Sequence, residues 1–486
     1  MSSAPSSRGL SLPTKILLGL LVGAGVGVTL NLLYAPPLGG AKSDAYLTLE
    51  HWADDVVKPL GDLFLSLLFM VVVPIVFSSL FLGVAGLGSV QKLGNLGGRT
   101  LLWFLATTTA AVLLGIVMVS VFRPGEAVSP AVRERIMREF RAEAAAKTGA
   151  VDVAASALSV DDALKLIEQL PPGAAVDAAR RQQVRDAFLQ AKQEKAAAAP
   201  KKGWVHMLVD IVPRNVIGAA ADNGKVLGLI FFALILGAAS IRTAPERTRA
   251  LRELLEGVYE LCVRVLGWVM ELAPYGVACL IFHATAKLGI DVMKLVGLYF
   301  ATAMGGLVFY QLVVITLLAR VFAGIAPGRF YRGVRTLIVT AFSTSSSNAT
   351  MPTTIRTATD EFGVPKEIAG FVMPLGATMN MNGTALFEGV SILFLAQVYG
   401  AELTLAQQFL VVGMAVLTAI GAAGVPGGSL PLLAVVLTQV GVPAELLALI
   451  LGVDRLVDMT RTIPNVTSDL VCSLWIARRE GHTLKG

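Results

Sequence analysis

Asp454, Asp458, Arg461, Asn465 and Asp469 follow one another at spacings of four, three, four and four inside a segment that otherwise reads as membrane, AELLALILGVDRLVDMTRTIPNVTSDLVCSLWIA. At about 3.6 residues per turn they share one stripe of a single helix roughly four turns long. A charged side chain at the bilayer centre costs at least about 2.5 to 3.5 kcal/mol, so such residues face a protein interior or a water-filled path. The stripe therefore reads as a site that binds something charged, with a structural Asp–Arg pair locking helices as the alternative. Covalent chemistry has little support here. Ser345, Ser346 and Ser347 would need a base, and His51, His206, His283 and His482 are scattered along the chain.

Composition sets the elements that must hold this stripe. The 486-residue chain is 55% hydrophobic and 15% charged, with a mean hydropathy of +0.70. That is the balance of a polytopic membrane protein, outside the range of soluble domains. Apolar runs able to cross about 30 Å of hydrocarbon recur near 14–34, 57–86, 98–122, 205–240, 252–286 and 293–323. The net charge of +6 does not point to nucleic acid, because the basic residues flank apolar runs. Arg8 and Lys15, Lys92 and Arg99, Arg242 to Arg252, Arg329 to Arg335, and Arg478 and Arg479 fit cytoplasmic ends under the positive-inside rule. This predicts a multi-pass protein of the cell inner (plasma) membrane with both termini cytoplasmic and the acidic loop at Asp44, Glu50, Asp54 and Asp55 outside.

The first apolar run has no small-residue cleavage site and reads as a retained helix. Cys262, Cys279 and Cys472 fall in predicted spans and give no disulfide framework. Residues 125–203, rich in Ala, Arg, Lys, Glu and Gln, read as an extracytoplasmic helical insertion. A long translocated loop of this kind is outside the positive-inside count.

After residue 330 the pattern changes. The segment GVRTLIVTAFSTSSSNATMPTTI begins apolar, dissolves into Ser, Thr and Asn, and meets Pro352. Residues 404–440 repeat the plan around AIGAAGVPGGSLPLL. Irregular backbone survives at membrane depth only where protein or a water-filled cavity satisfies its N–H and C=O groups. Two interrupted segments in corresponding positions therefore point to a transporter site. Each is followed by a helix with polar residues, and in the first Gly376 and the NMNG stretch at 380–383 predict a mid-membrane break whose carbonyls can ligate a cation. Asn380, Asn382, Asn465 and Asp469 could add side-chain oxygens there.

Four motifs in order, TSSSNATMP, GATMNMNGTALFEG, AAGVPGG and DRLVDMTRTIPNVTSD, resemble the dicarboxylate/amino acid:cation symporters. This family includes the archaeal aspartate transporters and the animal excitatory amino acid transporters. The resemblance extends through KPLGDLFLSLLFMVVVPIVFSSL and VDIVPRNVIGA and leaves out only the insertion. It implies an all-α polytopic membrane protein with eight transmembrane helices and two re-entrant helical hairpins in inverted repeats, forming a homotrimeric elevator-type transporter. The scaffold would comprise 10–90 and 204–288, and the transport domain 91–124 and 289–480. Within the latter lie a hairpin at 333–356, a broken helix at 365–397, a hairpin at 404–440 and the final helix at 444–477. The resemblance implies no enzyme activity and no cofactor, with sodium ions as coupling ions and the lipid bilayer as surroundings.

Carried over residue by residue, the resemblance pairs Arg461 with the side-chain carboxylate of the substrate and Asp458 with its ammonium group. A planar guanidinium suits a carboxylate bidentately, and an aspartate accepts from an amine. Having both implies an acidic amino acid, L-aspartate or L-glutamate. Neutral amino acid carriers of the family lack the arginine and C4-dicarboxylate carriers lack the acid, which makes them the alternatives, with an anion or cation channel on this fold further off. Thr384 would lie near the substrate carboxylate, Thr462 and Asn465 near the amine and α-carboxylate, and Ser346, Ser347, Val425 and Gly427 at the hairpin tips. One sodium site maps onto Gly376, Asn380, Asn465 and Asp469. A second maps onto backbone carbonyls around Thr378 and at Ala419, Ile420 and Ala422. The hairpin containing Pro426 would be the gate, and Met381 would help enclose the sites.

The departures are as informative. A third family sodium site keeps Thr107 and Thr108 but has Asn382 in place of an aspartate and Phe104 in place of a tyrosine, which predicts a weak or empty site. Glu388 stands where archaeal members have glutamine and the proton-coupled, potassium-antiporting animal members have glutamate. A carboxyl in a low-dielectric setting can carry a proton at neutral pH. Glu388 therefore implies proton cotransport, with potassium return as a further candidate. Archaeal members place an arginine at the Ser345 position and animal members at the Met459 position; this chain has neither. Pro464 removes a backbone hydrogen bond beside Asn465.

Overall fold

The computed structural model describes residues 11–36, 43–91, 95–127, 212–221, 226–401, 403–421, 424 and 426–485. The insertion expected at 125–203 lies outside them apart from its first three residues, as do Ala422 and Val425. Among the described residues the chain is helical, with no strand.

Helix α1 (Leu12–Tyr34) starts at Ser11, whose hydroxyl accepts the Thr14 N–H, with a proline in the first turn. Gly19, Gly23 and Gly27 line its contact with the long helix α8 (Pro245–Leu288). A Cβ on Gly23 would sit 2.4 Å from the Ala278 carbonyl oxygen, so glycine lets the two backbones touch. Helices α2 (Asp44–Trp52), α3 (Lys58–Met70) and α4 (Val72–Gln91) follow, with α3 and α4 against α8. The expected run at 205–240 is divided in its described part into α6 (Val216–Ala221) and α7 (Val226–Arg242), and α7 packs on α4.

A second set of helices surrounds the polar stripe. Helix α5 (Asn95–Phe122) packs along α14 (Asn382–Tyr399), and α9 (Ile290–Phe309) continues through π-helical turns to Ala323. After α10 (Pro327–Gly333) come α11 (Arg335–Thr344) and α12 (Ser347–Arg356), which turn on each other at Ser345, a non-glycine residue in the left-handed region at φ +50°. Ser346 caps α12 by accepting the Ala349 N–H at 3.1 Å. Helix α13 (Lys366–Met379) leads to α14; α15 (Leu405–Gly421) and α16 (Leu430–Gln439) form the second interrupted segment. A single 3-10 turn, Ala444–Leu447, precedes α17 (Ala448–Arg479), which contacts α9, α11, α13 and α14.

Among the described residues six stretches are long and apolar enough to cross a membrane, including Leu12–Tyr34, whose most apolar 18 residues are 28% buried within the protein, and Lys366–Tyr399, where the share is 94%. The first turns its apolar side chains outward, whereas the second is enclosed. Polar groups on α13, α14 and α17 must therefore find partners within the protein.

Two local expectations change. Gly376 does not break a helix: α13 runs through it, and the break falls at Asn380 and Met381. Its role is close approach, because a Cβ there would lie against the Asp469 carboxylate. Pro464 sits inside α17 without ending it, and α14 closes on this stretch where a Cβ on Gly383 would meet the Arg461 carbonyl and, at 2.8 Å, the Pro464 ring.

Candidate functional site

The two interrupted segments meet at their tips. Ser346 Oγ donates to the Gly424 carbonyl, and the Asn348 N–H donates to the same oxygen at 3.3 Å. Beneath this contact lies a small cavity of about 10 Å³, room for about one water, lined by Ser345, Ser347, Met381, Thr384, Gly424, Ser429, Asp458, Arg461, Thr462 and Asn465. The expected tip and helix residues Ser347, Thr384, Asp458, Arg461, Thr462 and Asn465 are thus brought together. Ser346 is not among them, its hydroxyl being committed to the tip-to-tip bond and the α12 cap. Ser345, one of the three serines of the first tip, and Ser429, which the sequence did not single out, also line the cavity; both carry buried hydroxyls with no hydrogen-bond partner.

Helix α17 presents the charged groups. Asp458 and Arg461 are 3% and 2% exposed, and they bond each other: Arg461 Nε and Nη2 donate to Asp458 Oδ1 at 3.0 and 2.6 Å. The guanidinium also lies over the Phe387 ring, 4.4 Å from its centroid. Asp454 Oδ1 stands 3.9 Å from Arg461 Nη1, an ion pair without a hydrogen bond. Asp458 Oδ2 accepts the Gly427 N–H at 3.1 Å and Arg455 Nη1 at 3.1 Å. Gly427, at φ +74°, therefore brings the second hairpin onto Asp458. Thr462 Oγ1 donates to the Asp458 carbonyl at 2.9 Å. Arg455 was not anticipated, because in sequence it reads as an ordinary cation beside Asp454.

One to two turns further on, the chemistry changes. Asp469 Oδ1 accepts Asn380 Nδ2 at 2.8 Å, and Gly376 lets the carboxylate lie against the α13 backbone. Asn465 Oδ1 accepts the Gly383 N–H at 2.7 Å and its Nδ2 donates to Thr384 Oγ1 at 3.4 Å, splinting α14 to α17. Thr108 Oγ1 donates to Asn382 Oδ1 at 2.8 Å, and Asn382 Nδ2 donates to Ser468 Oγ at 2.7 Å. Ser468 also accepts Asn380 Nδ2 at 3.1 Å, while Thr107 Oγ1 donates to Asn380 Oδ1 at 3.2 Å. Both Asn382 polar atoms are thereby satisfied. Ser468 went unremarked in the sequence because a hydroxyl beside Asp469 carries no signal of its own. Phe104 is buried, and its side chain supplies no oxygen.

Of the second expected cation set, Thr378 lies exposed near the end of α13 and Ala419 is buried in α15. Ile420 is known only as part of α15. Among the described residues no three His, Cys, Asp or Glu side chains come together as a metal cluster. Any cation here must be held by carbonyls, amides and a single acid, a set that suits a hard monovalent ion better than a transition metal. Glu388, fully buried on α14, accepts Thr418 Oγ1 from α15 at 2.7 Å on Oε2, and its Oε1 has no partner.

Residues 12–479 fit the sodium:dicarboxylate symporter family. The chain belongs to that family. It is a transporter, not an enzyme, and a multi-pass membrane protein is the setting its apolar helices require. It is 33% identical over 474 residues to a proton/sodium-glutamate symport protein of Bacillus subtilis (strain 168), covering 97% of this chain and 93% of that one. It is 30% identical over 426 residues to a proton/glutamate-aspartate symporter of Escherichia coli (strain K12), covering 88% and 86%. It is 32% identical over 422 residues to excitatory amino acid transporter 3 of Mus musculus, covering 84% and 76%. Membership makes sodium the coupling ion implied for this symporter.

Proposed function

We propose that this symporter imports an acidic amino acid, L-aspartate or L-glutamate, together with sodium, with proton coupling through Glu388 and potassium return. The observation that carries the reading is the buried Asp458–Arg461 pair facing a cavity lined by both hairpin tips. A substrate with an ammonium group and an extra carboxylate can exchange into that pair group for group: its carboxylate takes the Arg461 guanidinium, its ammonium takes Asp458 Oδ1. The exchange leaves neither Arg461 nor Asp458 without a counter-charge, and the substrate's α-carboxylate would be held near Thr462 and Asn465. A neutral amino acid offers no side-chain carboxylate to Arg461, and a dicarboxylate offers no ammonium to Asp458 Oδ1. Both mismatches argue for the acidic amino acid.

The cavity has room for about one water beside hairpin tips that bond each other, and in this reading a tip moves to admit the substrate. The second hairpin, with Pro426 and Gly427, is the gate in this reading. It is tied down by bonds that opening would break, from Ser346 and Asn348 to Gly424 and from Gly427 to Asp458. Sodium would be held near Asp469 with carbonyl and amide oxygens of Gly376, Asn380 and Asn465, and near the carbonyls of Thr378, Ala419, Ile420 and Ala422. The Asn382 site, with its amide spoken for by Thr108 and Ser468, would not bind a third ion. The helices around α17 would form the transport domain of a homotrimeric elevator, sliding against a scaffold of α1 to α4 and α6 to α8.

The test is uptake of labelled L-aspartate and L-glutamate into proteoliposomes under separately imposed sodium, proton and potassium gradients. Saturable, sodium-driven uptake of one or both is expected, stimulated by an inward proton gradient. No uptake under any gradient would refute the proposal.

A further inference from the structure

Arg455 is 8% exposed, stands beside Asp454 on α17, and does not line the cavity. Its Nη1 donates to Asp458 Oδ2, the oxygen that also accepts the Gly427 N–H. The two Asp458 oxygens are therefore unlike. Oδ2 is fixed by its own helix and by the hairpin tip, whereas the side-chain bonds to Oδ1 are both from Arg461.

When a substrate carboxylate draws Arg461 away, Oδ1 is released and Oδ2 keeps its cation. Without Arg455 only the Gly427 N–H would hold Oδ2, and a gate opening that removes it would leave the carboxylate free to turn Oδ1 away from the arriving ammonium group. No guanidinium comes from the Ser345 or Met459 positions to do this instead. We propose that Arg455 is a positioning residue that anchors Asp458 through Oδ2, so that Oδ1 stays aimed at the ammonium group of the substrate. The inference rests on the reading of Asp458 as the ammonium acceptor. An arginine present only to neutralise buried acids would support every ligand alike.

Wild type, Arg455→Gln and Arg455→Lys are compared in proteoliposomes by inhibition of labelled L-aspartate uptake, with unlabelled L-aspartate and with succinate, which keeps both carboxylates but has no amine. Arg455→Lys, which keeps the charge but not the directed fork, is expected to raise the half-inhibitory concentration of L-aspartate about tenfold and to leave that of succinate within about twofold. Arg455→Gln, which also leaves Asp458 without a cation once Arg461 turns to the ligand, is expected to weaken both. Parallel weakening of both ligands in Arg455→Lys, or no weakening of L-aspartate in Arg455→Lys, overturns the proposal. Absence of L-aspartate uptake in the wild type would remove the underlying reading, and that is seen in the wild-type arm alone.

Discussion

Residues 454–461 of α17 hold two acids and two arginines against one another, whereas residues 465–469 hold one acid among amides and hydroxyls. Both stretches are buried to a similar depth, so exposure does not explain the difference. In the first, formal charge sums to zero within the helix itself, and the groups are complementary to a ligand that carries both signs. In the second, Asp469 accepts from a neutral amide and has no basic side chain within ion-pair distance among the described residues. A buried carboxylate without a cation partner is costly, and a bound cation relieves that cost. One helix thus offers an exchange site and, two turns on, an attraction for a positive ion.

Breaking the charge-paired half is expected to have the largest effect. Arg461→Ala should lower acidic amino acid uptake by more than about 100-fold, in line with the roughly 3 to 5 kcal/mol lost when a buried pair loses one partner. Inhibition by a neutral amino acid should appear in the same variant, read by competition in proteoliposomes. In the other half, Asp469→Asn removes the only acid and should raise the sodium concentration for half-maximal uptake by about tenfold or more, with a smaller change at saturating sodium. Gly376→Ala should mimic it more weakly, because the added Cβ would press on the Asp469 carboxylate; an expected loss of about 1 to 3 kcal/mol of stability is read by thermal unfolding in detergent.

Two further variants sharpen the contrast. In the wild type, uptake should decline as pH rises and protonated Glu388 becomes scarcer, whereas Glu388→Gln should flatten the profile; a variant that keeps the wild-type pH dependence would remove the proton assignment. Ser468→Ala should have the smallest effect on transport. It leaves amide donors of Asn380 and Asn382 unmatched, an expected stability loss of about 1 to 3 kcal/mol, while sodium affinity stays nearly constant because no ion depends on that hydroxyl. A large fall in sodium affinity would show that the Asn382 network does hold an ion.

Much of this was legible beforehand because it depends on backbone periodicity. The polar stripe of α17 follows from i, i+4 spacing, and the two hairpin tips follow from Ser, Gly and Pro runs that no membrane helix accommodates comfortably. What stayed hidden depends on side-chain direction. Arg455 could not be told from a surface cation until its guanidinium was seen to reach Asp458 one turn along. That the Asn465 amide also splints Gly383 and Thr384 depends on a direction the spacing does not carry. Gly376 looked like a helix breaker because glycine is flexible, but what matters there is the missing Cβ and the carboxylate that fills its place. Ser346 was grouped with its neighbours, and only the geometry separates the tip-locking hydroxyl from those lining the cavity.

The most direct test is an experimental structure of the protein with L-aspartate and sodium bound. The account predicts the ligand's side-chain carboxylate within hydrogen-bond distance of Arg461, its ammonium against Asp458 Oδ1, the direct Arg461–Asp458 bonds gone, and Arg455 still on Oδ2. L-aspartate bound with the Arg461–Asp458 pair intact, or bound away from α17, would contradict it.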